Sequence, residues 1–202
     1  MDSRFWDERY ATTELIWTAE ANRFLVEVAN ELTPGRALDL ACGEGRNTVW
    51  LAEQGWEATG ADFSPIGLAK AAKLAESRGV SVNLMVADAT IWRPKIQGFD
   101  LVAVLYLQLP SPQREIALRS AIEAVAPGGT FLVVAHDVLN ITDGVGGPQD
   151  PSVCYSADGV NDLLGGFEII ESGVRTRPVE TPEGAKDALD TVVVARKPPH
   201  DA

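Results

Sequence analysis

Residues 37–54 restrict the fold more than any other part of this chain. An apolar run, Ala37-Leu38-Asp39-Leu40-Ala41, passes into Cys42-Gly43-Glu44-Gly45 and then into an amphipathic stretch from Arg46 to Gln54. The run has strand length and almost no polar alternation, which suits a strand covered on both faces. Two glycines in Gly-x-Gly spacing allow positive φ and let backbone approach a ligand closely. The helix that begins near Arg46 presents unpaired N–H groups and a partial positive charge toward that turn. Asp62, nineteen residues after Gly43, ends the next strand-like run. Strand, glycine turn, helix and a following acid are the layout of a nucleotide-cofactor site in a doubly wound α/β sheet.

The rest of the chain continues that pattern. Strands are expected at 56–61, 80–87, 100–105 and 130–135, separated by helices at 65–78 and 111–126. Ser64-Pro65 and Ser111-Pro112 both look like helix starts, with serine as N-cap and proline in the first turn. Pro127-Gly128-Gly129 is expected as a turn. Such alternation gives a mostly parallel sheet with right-handed crossovers and helices on both faces. Past His136 the pattern changes. A loop is expected at 137–152, then a short helix capped by Ser156, then strands at 167–176 and 188–196. No helix separates those two strands, so they should pair antiparallel. Residues 1–34 form an arm and one packing helix (13–32) ended by Pro34-Gly35. Residues 35–197 form the domain, and 198–202 a frayed tail.

Composition excludes several functions. A hydrophobic fraction of 46% fits one globular domain. No apolar run reaches the roughly 20 residues that span a bilayer. A net charge of −12 without a basic run argues against nucleic acid and anionic membrane as partners. Two cysteines, Cys42 and Cys154, cannot build a disulfide framework. With no signal-peptide pattern at the start, the expectation is a cytoplasmic protein. Cys42 in the glycine turn is expected to fill tight space. No metal site is expected, since Cys154 and His136 lack the further ligands one needs.

Doubly wound sheets bind ligands at the carboxyl ends of their strands. Those ends hold the Gly43–Asn47 turn, Asp62 with Phe63, Asp88 with Ala89, Tyr106 with Gln108, and His136 with Asp137. Asp62 suits a ribose diol, because a carboxylate only accepts hydrogen bonds. Asp88 could accept from a purine amine. His136 is one of only two histidines and is the candidate general base.

These residues resemble the class I S-adenosylmethionine-dependent methyltransferases. The match includes Asp39-Leu40-Ala41-Cys42-Gly43-Glu44-Gly45-Arg46-Asn47, Gly60-Ala61-Asp62-Phe63-Ser64, Val86-Ala87-Asp88-Ala89, Phe99-Asp100-Leu101-Val102 and Ala126-Pro127-Gly128-Gly129. Within that family, the first string and the opening Phe5-Trp6-Asp7-Glu8-Arg9-Tyr10 look like the tellurite-resistance and thiopurine branch. The resemblance implies a seven-stranded sheet whose last strand runs antiparallel, and S-adenosylmethionine as cofactor. It implies that Gly43, Gly45, Arg46 and Asn47 face the methionine moiety, with Asp39 supporting its amino group. Asp62 would hold the ribose, beside Ser64, and Phe63 would pack on the adenine. Asp88 and Ala89 would contact the adenine edge. Leu105 and Tyr106 would close the site near the sulfonium, and Trp6 and Tyr10 would form a lid. Gln108 stands where many members resemble Tyr-Leu-His-Leu-Pro, so a histidine base is missing there. Gln108, His136, Asp137 and Asn140 would face a small-molecule acceptor, whether thiol, oxyanion, hydroxyl or amine. Two other readings share the same turn. An NAD-dependent oxidoreductase would want a third glycine, and a non-catalytic S-adenosylmethionine binder would need no acceptor pocket.

Overall fold

The glycine turn sits where the order of the sheet reverses. In chain order the elements are α1 (Ser3–Tyr10), α2 (Arg23–Asn30), β1 (Arg36–Leu40), α3 (Arg46–Glu53), β2 (Glu57–Asp62), α4 (Pro65–Arg78), β3 (Asn83–Val86), β4 (Phe99–Leu105), α5 (Ser111–Ala124), β5 (Val125–His136), α6 (Asn140–Asp143), a 3-10 turn (Pro151–Val153), α7 (Ala157–Asn161), β6 (Glu168–Thr181) and β7 (Gly184–Arg196). They come from a computed structural model that describes residues 3–11 and 20–199. The sheet has seven strands in the order β3-β2-β1-β4-β5-β7-β6. β1 to β5 pair in parallel, and β7 lies antiparallel between β5 and β6. This is the expected seven-stranded sheet with its last strand antiparallel. From β1 the chain moves outward to β2 and β3, then returns to β4. The loops after β1 and β4 therefore diverge and leave a crevice between them.

Both faces of the sheet are covered, as the apolar runs require. Successive β4 side chains alternate between two cores. Val102 and Val104 pack with Leu118, Ala121, Val160 and Leu164 from α5 and the α7 region. Leu101, Ala103 and Leu105 pack with Phe24, Leu25 and Leu51 from α2 and α3. No helix among the described residues is long and apolar enough to cross a membrane.

Several boundaries differ from expectation. The helix expected over 13–32 begins only at Arg23, and residues 12–19, with Trp17, lie outside the described residues. Asn22 is extended (φ −59°, ψ 128°), and its side-chain oxygen accepts from Phe24 N and Leu25 N. An asparagine that takes those donors starts a helix there. Ser64 caps α4 as expected, accepting from Gly67 N. Ser111 does not cap α5. The cap position is Pro110, with no side-chain cap bond, so the serine is already helical. α5 ends at Ala124, because Val125 pairs with Phe99 before a register shift leads to the main β4–β5 ladder. The strands expected at 167–176 and 188–196 extend toward each other until Thr181 faces Gly184. Their polar tips hid this pairing. The loop expected over 137–152 contains α6 and the 3-10 turn. The expected tail falls partly at 200–202, outside the described residues.

Candidate active site

β1 ends in a turn of unusual backbone. Ala41 (φ 63°), Gly43 (φ 55°) and Gly45 (φ 78°) all lie in the left-handed region. The Ala41 and Cys42 amides both donate to Ala61 O at the end of β2. Asp62 then ties two loops together, its Oδ2 accepting from Gly43 N and its Oδ1 from Ser64 N, both at 2.9 Å. Burial pushes the Asp62 carboxyl up, and those amides oppose the shift. Helix α4 holds the turn from the other side. Lys70 Nζ lies 2.8 Å from Glu44 Oε1, and a Cβ at Gly45 would stand 2.4 Å from that of Ala71.

The N-terminal arm closes over this turn. α1 is joined to α4 by a hydrogen bond from Ser64 Oγ to Asp7 Oδ1. Trp6 and Tyr10 stack with ring centroids 5.6 Å apart. Tyr10 is buried, and its hydroxyl would meet a Cβ at Gly43 at 2.7 Å. Asn47 at the start of α3 accepts from Asn22 N at 2.8 Å, so it fixes the entry to α2. Between arm, turn and sheet lies a cavity of about 580 Å3. It runs from Gly43, Asp62 and Phe63 to Gln108, His136 and Arg177.

Three polar side chains crowd the far end around Asp190 of β7, which is fully buried. Its Oδ2 accepts from Tyr106 Oη at 2.8 Å and from Arg177 Nε at 2.7 Å. His136 Nδ1 stands 3.5 Å from its Oδ1. The His136 and Tyr106 rings are 4.9 Å apart, and the Arg177 guanidinium lies 5.7 Å from the Tyr106 ring centre. Burial raises the Tyr106 phenol above its ordinary range, and the Asp190 charge adds to that. Burial lowers the His136 pKa, Asp190 opposes this, and Arg177 reinforces it. Tyr106 itself is left-handed (φ 56°), a strained conformation for an aromatic residue that is often found at functional sites.

Residues 37–129, which carry the turn, Asp62 and β4, match the model of a methyltransferase domain. Over this stretch the chain is similar to methyltransferase domains. Over 123 residues the chain is 37% identical to the demethylmenaquinone methyltransferase of Thermus thermophilus, covering 60% of this chain and 54% of that protein. It is 22% identical over 169 residues to the probable S-adenosyl-L-methionine-dependent methyltransferase TehB of Haemophilus influenzae, covering 83% and 56%. The crystal structure of TehB superimposes with a TM-score of 0.72 at 21% identity, over 96% of this chain and 66% of that one. A structure from echinomycin biosynthesis, described for converting a disulfide bond into a thioacetal group, superimposes at 0.78 and 20% identity, over 98% and 94%. The chain spans about half the length of the curated relatives it matches.

The fold brings many of the expected site residues to one cavity. Trp6, Tyr10, Gly43, Arg46, Asn47, Asp62, Phe63, Leu105, Tyr106, Gln108 and His136 all line it. Gly45 and Ser64 instead support the turn from behind. Asp88 is exposed, and its Oδ1 accepts from Thr90 N and Oγ1, away from the cavity wall. Ala89 packs beside Trp92 against the core. Asp137 and Asn140 are buried and occupied elsewhere. Asp137 accepts from Leu139 N and Thr191 Oγ1, and Asn140 bridges Leu189 N and Gly146 O. Both hold the loop after β5 against β7. Arg177 and Asp190 were not anticipated from the sequence. One signal was available: Asp190 interrupts the apolar run at the centre of β7, where a buried charge demands a partner.

Asp39 lies beneath the turn. Its Oδ2 accepts from Thr48 Oγ1 at 2.7 Å, while Oδ1 is buried without a hydrogen-bond partner among the described residues. Burial pushes its pKa up to about 6. Between about pH 4 and 6 the folded chain keeps a proton that the unfolded chain has lost. Stability from this group therefore falls as pH rises through that window. Relative to wild type, Asp39→Asn should gain on the order of 2–3 kcal/mol between pH 4 and 7 and change little above. Urea denaturation across that range tests this, and a pH-independent difference would refute it.

Proposed function

We propose that this chain transfers a methyl group from S-adenosylmethionine to a small-molecule acceptor by in-line displacement. The observation that supports this most is the length of the cavity. It starts at the glycine turn and continues past the end of β4 to Gln108, His136 and Arg177. A protein that only bound the cofactor would need the first part alone.

The residues present fit the cofactor. The buried, unpartnered Asp39 Oδ1 offers an acceptor beneath the turn on which a methionine amino group would rest. Asp62 spends one lone pair of each oxygen on Gly43 and Ser64 and keeps others for a ribose diol. Phe63 offers an apolar face to the adenine. The stacked Trp6 and Tyr10 cover the site and exclude water, which protects a displacement reaction. Leu105 and Tyr106 lie between the cofactor end and the acceptor end. The cofactor supplies an already electrophilic sulfonium methyl, so the protein chiefly has to align the acceptor with it.

A demethylmenaquinone methyltransferase acts, by its name, on a small molecule. The net charge of −12 disfavours a nucleic-acid acceptor. Two free, buried cysteines suit the reducing cytoplasm. Calorimetry should detect binding of S-adenosylmethionine and S-adenosylhomocysteine but not of NAD. Binding of NAD without either adenosyl ligand would overturn the reading. A methyl-transfer screen across thiols, oxyanions, phenols and amines would then find the acceptor.

A further inference from the structure

Three buried side-chain polar atoms lack a hydrogen-bond partner among the described residues: Asp39 Oδ1, His136 Nδ1 and Asp190 Oδ1. Buried groups rarely stay unpaired, and each exception calls for a reason. The last two face each other at 3.5 Å. That distance is long for a hydrogen bond, but each atom is the other's available partner. The facing is built into the sheet, because His136 and Asp190 are register partners across the β5–β7 ladder.

We propose that Asp190 is the positioning residue of a carboxylate–imidazole couple that makes His136 the base for a protic acceptor, a hydroxyl or an amine. This deepens the methyl-transfer reading and rests on it. With its proton on Nδ1, directed at Asp190 Oδ1, the neutral imidazole keeps the Nε2 lone pair for the cavity that His136 lines. As the acceptor's lone pair bonds to the methyl carbon, the carbon–sulfur bond breaks and its electron pair leaves with the sulfur. The acceptor's proton passes to Nε2. The Asp190 carboxylate faces Nδ1–H and stabilises the imidazolium. Catalytic contacts that are long in an unliganded protein tighten when the ligands bind.

The surroundings of His136 agree with this. Asp190 faces it from β7, Arg177 from β6 and the Tyr106 phenol from the end of β4. On the loop side a Cβ at Gly147 would stand 2.8 Å from Nδ1, so backbone closes that edge. The neighbouring Asp137 has both oxygens occupied by Leu139 and Thr191. The same Asp190 carboxylate also holds Tyr106 and Arg177, so one buried anion orients three groups of the acceptor end. An acceptor that arrives as a thiolate or oxyanion would need no such couple.

The chain has two histidines, so nitrogen-15 NMR can resolve His136 once His200→Gln has assigned the other. In wild type the neutral ring should carry its proton on Nδ1. In Asp190→Asn the His136 pKa should fall by on the order of one unit, because the charge that favours imidazolium is gone. A wild-type proton on Nε2, or a pKa that does not fall in the variant, overturns the couple. The wild-type tautomer decides the matter even if the variant does not fold. In the acceptor screen, methylation of a hydroxyl or amine should show an ascending pH limb at the His136 pKa, and transfer to thiolates or oxyanions alone overturns the assignment. Wild-type calorimetry with the adenosyl ligands reports separately on the methyl-transfer reading.

Discussion

Gly45→Val is expected to lower the free energy of unfolding by roughly 2–5 kcal/mol, a large part of the total stability of a domain this size. Two independent effects add. Gly45 has φ 78°, which an L side chain adopts only with strain. Any Cβ there also comes 2.4 Å from the Cβ of Ala71, so α4 must shift away from the turn. That shift loosens the Lys70–Glu44 contact and the end of β2, which together hold the Gly43 amide in place. Gly79→Ala provides the control. Gly79 is left-handed too (φ 67°), but nothing lies within 4 Å of its missing Cβ. It should cost only about 1 kcal/mol, from backbone strain alone. Urea denaturation of both variants reads the difference. Equal losses would mean that close approach of α4 contributes nothing.

Asp62→Ala should weaken S-adenosylmethionine binding at least tenfold, equivalent to about 1.4 kcal/mol. The carboxylate would contact the ribose, and it also orients the Gly43 and Ser64 amides that frame the turn. Stability should move less than affinity. The substitution leaves two amides without their acceptor, but it also removes a buried charge, and the raised Asp62 pKa reflects that burial. Asp62→Asn should fall between wild type and Asp62→Ala, because its one oxygen can satisfy one of the two amides. Calorimetry on the folded variants measures both. An unchanged affinity in Asp62→Ala would take this side chain out of the cofactor site.

These two residues could be found by reading along the chain. Strand, Gly-x-Gly turn, helix start and a following acid are neighbours in sequence, and their spacing carries the geometry. Asp88 shows the limit of that reasoning. It also follows a strand, but β3 is the edge of the sheet, and there its carboxylate turns to Thr90 in solvent. Asp137 and Asn140 sit in the right loop, yet their side chains are spent on holding it to β7.

The sequence by itself determined the class of sheet and the glycine turn that leads from β1 into α3, because each depends on residues close together in the chain. Tertiary structure alone decided the far end of the cavity. His136, Arg177 and Asp190 come from three strands and Tyr106 from the residue after β4, and they meet only because β7 inserts antiparallel between β5 and β6. That insertion sets His136 opposite Asp190 and places Arg177 two residues beyond Asp190's other partner, Arg175. A one-residue slip of β7 would turn Asp190 to the other face of the sheet. No local pattern encodes such a register; it follows from burying Val192 and Val194 on one core and Val193 and Ala195 on the other.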